Sequence, residues 1–236
     1  MKKISVLLLL LLPVAMMAQK QVIKDENAAP RTVGSFHAIR VSNAIDLFLS
    51  QSDEEALAVS AVKPEFRDRI KTVVEEGVLK ISYDEDGKWW KGNKKLRVYV
   101  SFKTLDKLTA VGASDVVVDG TLKADHLALS MGGASDFKGK IEANSLDVNL
   151  SGASDAVVEG KVSTLTVDAN GASDFKGFDL VADNCSVEAT GASDIKITVN
   201  KELNARASGA SGVHYKGDGV IRDLKTSGAS NVSRRG

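Results

Sequence analysis

Apolar and polar residues alternate through the second half of the chain with the two-residue period of a strand buried on one face. The clearest runs are Leu146/Val148/Leu150, Leu165/Val167/Ala169, Cys185/Val187/Ala189 and Leu203/Ala205/Ala207. The residues between them are polar: Asp147/Asn149/Ser151, Thr166/Asp168/Asn170, Ser186/Glu188/Thr190 and Asn204/Arg206/Ser208. Each run leads into the tripeptide Gly-Ala-Ser, which starts at Gly112, Gly133, Gly152, Gly171, Gly191, Gly209 and Gly228. Successive starts are 21, 19, 19, 20, 18 and 19 residues apart. Five of the seven tripeptides continue with Asp (Asp115, Asp136, Asp155, Asp174 and Asp194), the sixth with Gly212 and the seventh with Asn231. A second short strand then begins at Val116, Phe137, Ala156, Phe175, Ile195, Val213 or Val232, and often ends at a glycine such as Gly120, Gly139, Gly160 or Gly177.

A unit this short excludes a βαβ repeat of roughly 30 residues and a propeller blade of about 40. It fits one coil of a parallel β-solenoid, in which coils stack at about 4.8 Å and equivalent residues form ladders. The predicted fold is an all-β, single-domain parallel β-helix with coils of about 19 residues, right-handed by the crossover rule. Residues 105–232 are its repeats. Residues 33–104 lack the tripeptide but remain β-rich, with strands expected at Ile39–Val41, Ile45–Leu49, Leu57–Ala61, Val78–Tyr83 and Leu96–Phe102. They read as an irregular N-terminal cap that covers the first strand edges and the end of the core. Within it, Ser42-Asn43-Ala44-Ile45-Asp46 reads as a degenerate corner, Glu65–Thr72 as a short helix or turn, and Asp84–Lys95 as a loop.

The first 18 residues stand apart from this pattern. Lys2 and Lys3 precede the apolar run Ile4–Leu12, then Pro13 and small residues up to Ala18. This is the pattern of a secretory signal peptide cleaved after Ala18, and the run is about half the length of a membrane-spanning helix. Residues 19–32 read as a polar, disordered lead. Of the 31 Lys and Arg residues, cleavage removes Lys2 and Lys3, leaving 29 against 31 acidic groups. An exported, nearly neutral chain gives no reason to expect nucleic acid as a partner. No later stretch suffices for a transmembrane helix, so the expected location is the periplasm, the outer-membrane surface or the extracellular space. One Cys excludes a disulfide framework and a cysteine-rich zinc site, and three His leave little for a His-based centre. No cofactor is expected.

The β-rich lead Phe36-His37-Ala38-Ile39-Arg40-Val41, the segments Ile45–Gln51 and Gly77–Ile81, and the repeated Gly-Ala-Ser-Asp carry a resemblance. Over about residues 33–232 the chain resembles the secreted bacterial family named "putative auto-transporter adhesin, head GIN domain". The resemblance implies adhesion and brings no catalytic residues with it. No translocator barrel is expected after Asn231.

Three sets of residues are candidates for chemistry. The Asp ladder (Asp115, Asp136, Asp155, Asp174, Asp194) places like charges about 5 Å apart, each adjacent pair repelling by roughly 0.9 kcal/mol in water. Its residues are expected to cap backbone N–H groups as Asx turns. Calcium is the alternative, although the repeat lacks the glycine pattern of calcium-binding solenoids. The polar columns around Asn149, Asp168 and Asn170 form a flat face that suits a glycan or an envelope or host protein, or that is simply solvated. In the solvated reading Glu188 and Arg206 make a cross-rung ion pair. Trp89 and Trp90, the only Trp residues, sit among Lys88, Lys91, Lys94 and Lys95. They suit stacking on a ligand or packing over the end of the solenoid. Cys185 shares the inward column of Leu127, Leu146, Leu165 and Leu203 and is expected to be a buried hydrophobe. His126 and His214 have no evident partners. The reading that follows is a non-catalytic binding or structural module of the envelope, with a polysaccharide-active enzyme as the competing class.

Overall fold

The computed structural model describes residues 25–85 and 94–236. The repeats form strands β9 (Val116–Gly133), β10 (Asp136–Leu150), β11 (Asp155–Ala169), β12 (Asp174–Ala189) and β13 (Asp194–Gly209). Three shorter strands follow: β14 (Gly212–Lys216) and β15 (Val220–Gly228), which both pair with β13, and finally β16 (Asn231–Arg234), which pairs with β14. Each strand is long because it runs from one corner to the next and pairs in parallel with its successor along almost its whole length. The alternation predicted from sequence is the one observed. Leu127, Leu146, Leu165, Cys185 and Leu203 stack in register and point inward. Each such buried Leu contributes roughly 2 kcal/mol. Burial also pushes the Cys185 thiol up to about 12, so it stays neutral and packs as a small hydrophobe.

The corners explain the tripeptide. Gly171 adopts φ of +83°, and a Cβ there would lie 2.5 Å from the carbonyl oxygen of Gly152 in the coil before. Glycine is required twice over, for the left-handed backbone and for the close approach. The following Ala172 N–H donates to that same oxygen at 2.8 Å. The third residue is buried: Ser114, Ser135, Ser154, Ser173 and Ser193 are all fully inside. Ser173 Oγ donates to the Asn170 carbonyl at 3.0 Å, and the Ser173 N–H donates to Ser193 Oγ of the next coil at 3.3 Å. The same two-way pattern links Ser114 to Val111 and to Ser135. Backbone groups that would be stranded at a buried turn are thereby satisfied along a continuous hydroxyl ladder.

The glycines of the second strand differ in kind. Gly139 and Gly177 lie inside β10 and β12 rather than ending a strand, and neither has a positive φ. Their missing side chains make room for aromatic rings. A Cβ on Gly177 would lie 2.5 Å from the Phe175 ring, and one on Gly139 would lie 2.9 Å from Val118 of the coil before and 3.1 Å from the Phe137 ring. The intervening coil carries Ala156 and Val158 at the matching positions. Successive coils therefore fill the same internal volume with a Phe/Gly or an Ala/Val pair.

The N-terminal part extends the solenoid as well as capping it. β2 (Ala38–Val41) and β3 (Asp46–Gln51) form a further coil, lying parallel to β8 (Lys107–Gly112) and β9. β6 (Val78–Tyr83) and β7 (Arg97–Phe102) stack parallel on the opposite edges of β2 and β3. Asn43, with φ of +67°, occupies the corner-glycine position, as the degenerate-corner reading expects. The outer coil is then closed by antiparallel strands. β5 (Ile70–Glu75) pairs with β6, and β4 (Ala56–Ser60) pairs with β7. β1 (Ala29–Arg31) pairs in turn with β4.

Two expectations are corrected here. The helix in this region is only α1 (Pro64–Arg67); Ile70 onward is strand, because Ile70, Thr72 and Val74 alternate toward the core and bond to β6. The lead expected to be disordered includes β1, anchored as Arg31 donates to the carbonyls of Ile70 and Arg67. No helix among the described residues is long and apolar enough to cross a membrane.

Candidate functional site

Uniform coils leave two outward faces on which chemistry can be arranged. The first is formed by the ends of β10–β13 and by β15. Register places Asn149, Asp168, Glu188, Arg206 and Lys225 in one row. Asp147, Thr166, Ser186, Asn204 and Asp223 form the row beside it. Asn149, Asp168 and Asn170 are thus brought together, all exposed. A shallow groove crosses this face, lined by Thr166, Asp168, Ser186, Glu188, Asn204 and Arg206. A second, lined by Glu188, Arg206, Ser208, Lys225 and their neighbours, continues it toward the last coil. Glu188, Asn204 and Arg206 therefore belong to the site as much as Asp168 does. Their shared spacing from the corner glycine is the signal that marks them. The face is acidic at Asp168 and Glu188 and basic at Arg206 and Lys225. Arg206 reaches Asp223 at 3.2 Å, so the ion pair runs to the last coil rather than to Glu188.

The second face carries the Asp ladder. Asp136, Asp155, Asp174 and Asp194 are direct register partners, followed by Gly212 and Asn231. The row begins earlier than the tripeptide shows: Asp46 of the degenerate corner stands before Asp115. The Asp115 carboxyl is pushed above the usual carboxylate range by burial, and further by the charges of Asp136 and Asp46. Asp46 is raised likewise by burial, against the pull of Arg97. The Asp115 carboxylate accepts a hydrogen bond from the Asp136 backbone, as the capping reading expects, and the buried Ser side chains described above satisfy further backbone groups of the corner. Asp155 instead meets Lys176 at 2.5 Å, and Asp174 lies 3.7 Å from the same ammonium. The hydrogen bond that Lys176 donates to Asp155 and the two nearby negative charges raise the Lys176 pKa against its partial burial. Repulsion along the row is offset by this adjacent cation, at an exposed pair's modest worth. One carboxylate per coil gives a line rather than a cage. Among the described residues no group of three or more His, Cys, Asp or Glu converges as a metal site.

Two histidines acquire partners that spacing alone does not reveal. His126 Nδ1 lies 2.8 Å from Ser145 Oγ, and its Nε2 lies 3.8 Å from Asp147. His214 Nδ1 lies 2.8 Å from Ser233 Oγ. In each case the partner sits about one coil away in sequence and therefore beside the histidine in space. Trp89 and Trp90 lie outside the described residues. Near the N-terminal end, Phe48 and Tyr99 stack with centroids 5.1 Å apart, and Tyr99 donates to Asp25 at 2.8 Å.

Solved structures share this architecture. A putative adhesin from Bacteroides fragilis is 20% identical with a TM-score of 0.80, covering 88% of this chain and 96% of that one. A putative adhesin from Parabacteroides merdae is 21% identical with a TM-score of 0.69, covering 89% and 95%. A protein from Parabacteroides distasonis described as a putative lipid binding protein is 20% identical with a TM-score of 0.67, covering 90% and 98%. At these identities the likeness establishes the fold. No curated protein matches the chain. The family described as "Putative auto-transporter adhesin, head GIN domain" matches residues 35–219, most of the solenoid, and the chain belongs to it.

Proposed function

We propose that the protein is an exported, non-catalytic binding module of the cell envelope, recognising an extended glycan or an envelope or host protein through the polar face of β10–β13 and β15. The observation that carries this reading is the in-register presentation of amides, hydroxyls and charges over β10–β13 and β15, with two adjoining shallow grooves across β11–β13 and β15. Rows about 4.8 Å apart on a rigid sheet hold their donors and acceptors in place before binding. Little ordering entropy is then lost on association. A repeating ligand meets a repeating surface, so weak contacts of equal kind add along its length. The signal-peptide pattern at residues 1–18 and the adhesin-like family support export and binding.

The test is a glycan array probed with the purified protein, with and without Ca²⁺, beside the triple variant Asn149→Ala/Asp168→Ala/Asn170→Ala. Binding that is independent of Ca²⁺ and lost in the variant is the expected result. Turnover of a polysaccharide by the wild-type protein would defeat the binding-module reading. Binding that requires Ca²⁺ would move recognition to the Asp ladder.

A further inference from the structure

We propose that the C-terminal edge of the solenoid is a self-association surface, on which β15 pairs antiparallel with β15 of a second copy. The two ends of the solenoid are built differently. At the N-terminal end the outer coil is closed by the antiparallel strands β5, β4 and β1. At the other end β15 bonds to β13 on one side, and no described strand covers its other side. Leu224 continues the inward column of Val187 and Ala205, which are buried. Leu224 itself is 48% exposed, and among the described residues no strand stacks beneath it. A core column thus ends in an open apolar side chain beside unpaired backbone groups, the combination that invites another strand.

Charge selects the occupant. Asp223 and Lys225 flank Leu224 and point outward, in register with Asn204 and Arg206. A lone edge Lys deters a foreign strand. Reversed about Leu224, the same strand sets Asp223 opposite Lys225 of the other copy, and Lys225 opposite its Asp223. Both are opposite-charge cross-strand pairs. The two Leu224 side chains then meet on the core side. This is a self-complementary two-fold contact, which closes at a dimer. Stacking head to tail would instead bring this edge against the closed N-terminal end.

Sedimentation equilibrium of the purified protein across a concentration series tests the proposal, with thermal melts to confirm that each variant folds. The wild type is expected to form a dimer. Lys225→Asp sets like charges opposite each other twice and should weaken the dimer by about tenfold or more. The swap Asp223→Lys/Lys225→Asp recreates both cross-strand pairs and returns an anion to Arg206, so it should restore wild-type association. A monomer at every concentration overturns the proposal and assigns the edge to a different partner. A dimer indifferent to Lys225→Asp, or one the swap does not restore, overturns the antiparallel pairing.

Discussion

The exchange of a Phe/Gly pair for an Ala/Val pair between coils makes a quantitative claim about how the core is filled. Phe175 is fully buried, and its ring occupies the space that a Gly177 side chain would take. Phe175→Ala should cost about 3–5 kcal/mol, as other buried Phe truncations do. Gly177→Val alone drives a branched side chain into that ring and should cost about 1–3 kcal/mol by overpacking. In the double variant the Val occupies the vacated space, as Val158 does beside Ala156. Returning three carbons to the core at about 0.8 kcal/mol each recovers roughly 2.4 kcal/mol, and the clash with the ring disappears, leaving only the closer contact with the Lys196 carbonyl oxygen at 3.1 Å. The double variant should therefore lose only about 1–2 kcal/mol relative to wild type, less than Phe175→Ala alone. The coupling is read from urea denaturation of the four proteins, with a common m-value as the check that each unfolds alike. Additive losses would refute the volume exchange and leave Gly177 serving only the backbone.

The other corner and core claims have their own tests. Gly171→Ala should cost about 3–4 kcal/mol, combining left-handed strain with a clash against the Gly152 carbonyl. Gly120→Ala, with a similar φ of +80° but nothing within 4 Å, should cost only the left-handed strain, about 1 kcal/mol; equal losses would sink the close-approach argument. Ser173→Ala should destabilise by about 2 kcal/mol, because two buried backbone groups lose their partner; a neutral result would show that water replaces the hydroxyl. Asp115→Asn should raise the thermal midpoint at pH 7. A carboxyl whose pKa is raised by folding opposes the fold while ionised, and that penalty fades as pH falls through the folded value and then the ordinary carboxylate range. The variant's advantage should vanish by about pH 3, and an advantage independent of pH would refute the electrostatic cause. Cys185 should resist thiol reagents until the protein unfolds, and labelling of the native protein at a rate near that of a free thiol would contradict its burial.

The repeat made most of this architecture legible. A tripeptide recurring at nearly constant spacing, flanked by two-residue alternation, determines the coil, its parallel stacking and the inward columns. What stayed hidden depended on contacts between coils. Ser173 reads as one more small turn residue until the parity of its position, two before the buried Phe175, places it inside. Asp46 escaped the ladder because its corner carries Asn43 and Ile45 in place of the glycine and the serine. The partners of His126 and His214 lie about a coil away in sequence, a distance at which local motif reading finds nothing. The strand at Ile70 was obscured by the turn residues before it, and its pairing with β6 rather than its own propensity decided the outcome.

These differences separate two kinds of constraint within each coil. Inward positions answer to the coils on either side, as Gly171 does to Gly152 and Ser173 to Ser193, or to their own coil, as Phe175 does to the space at Gly177. A change at any of them propagates along the stack. Outward positions answer mainly to solvent and to whatever binds. The row Asn149, Asp168, Glu188, Arg206 and Lys225 passes from amide through acid to base while its members stay direct register partners. Stability therefore resides in columns whose members resemble one another, and recognition in columns whose members differ. On that basis the polar face is a better candidate for binding than the Asp ladder. The ladder repeats one residue type beside a compensating Lys176 and a buried hydroxyl column, whereas the polar face varies its chemistry on a scaffold that is indifferent to the variation.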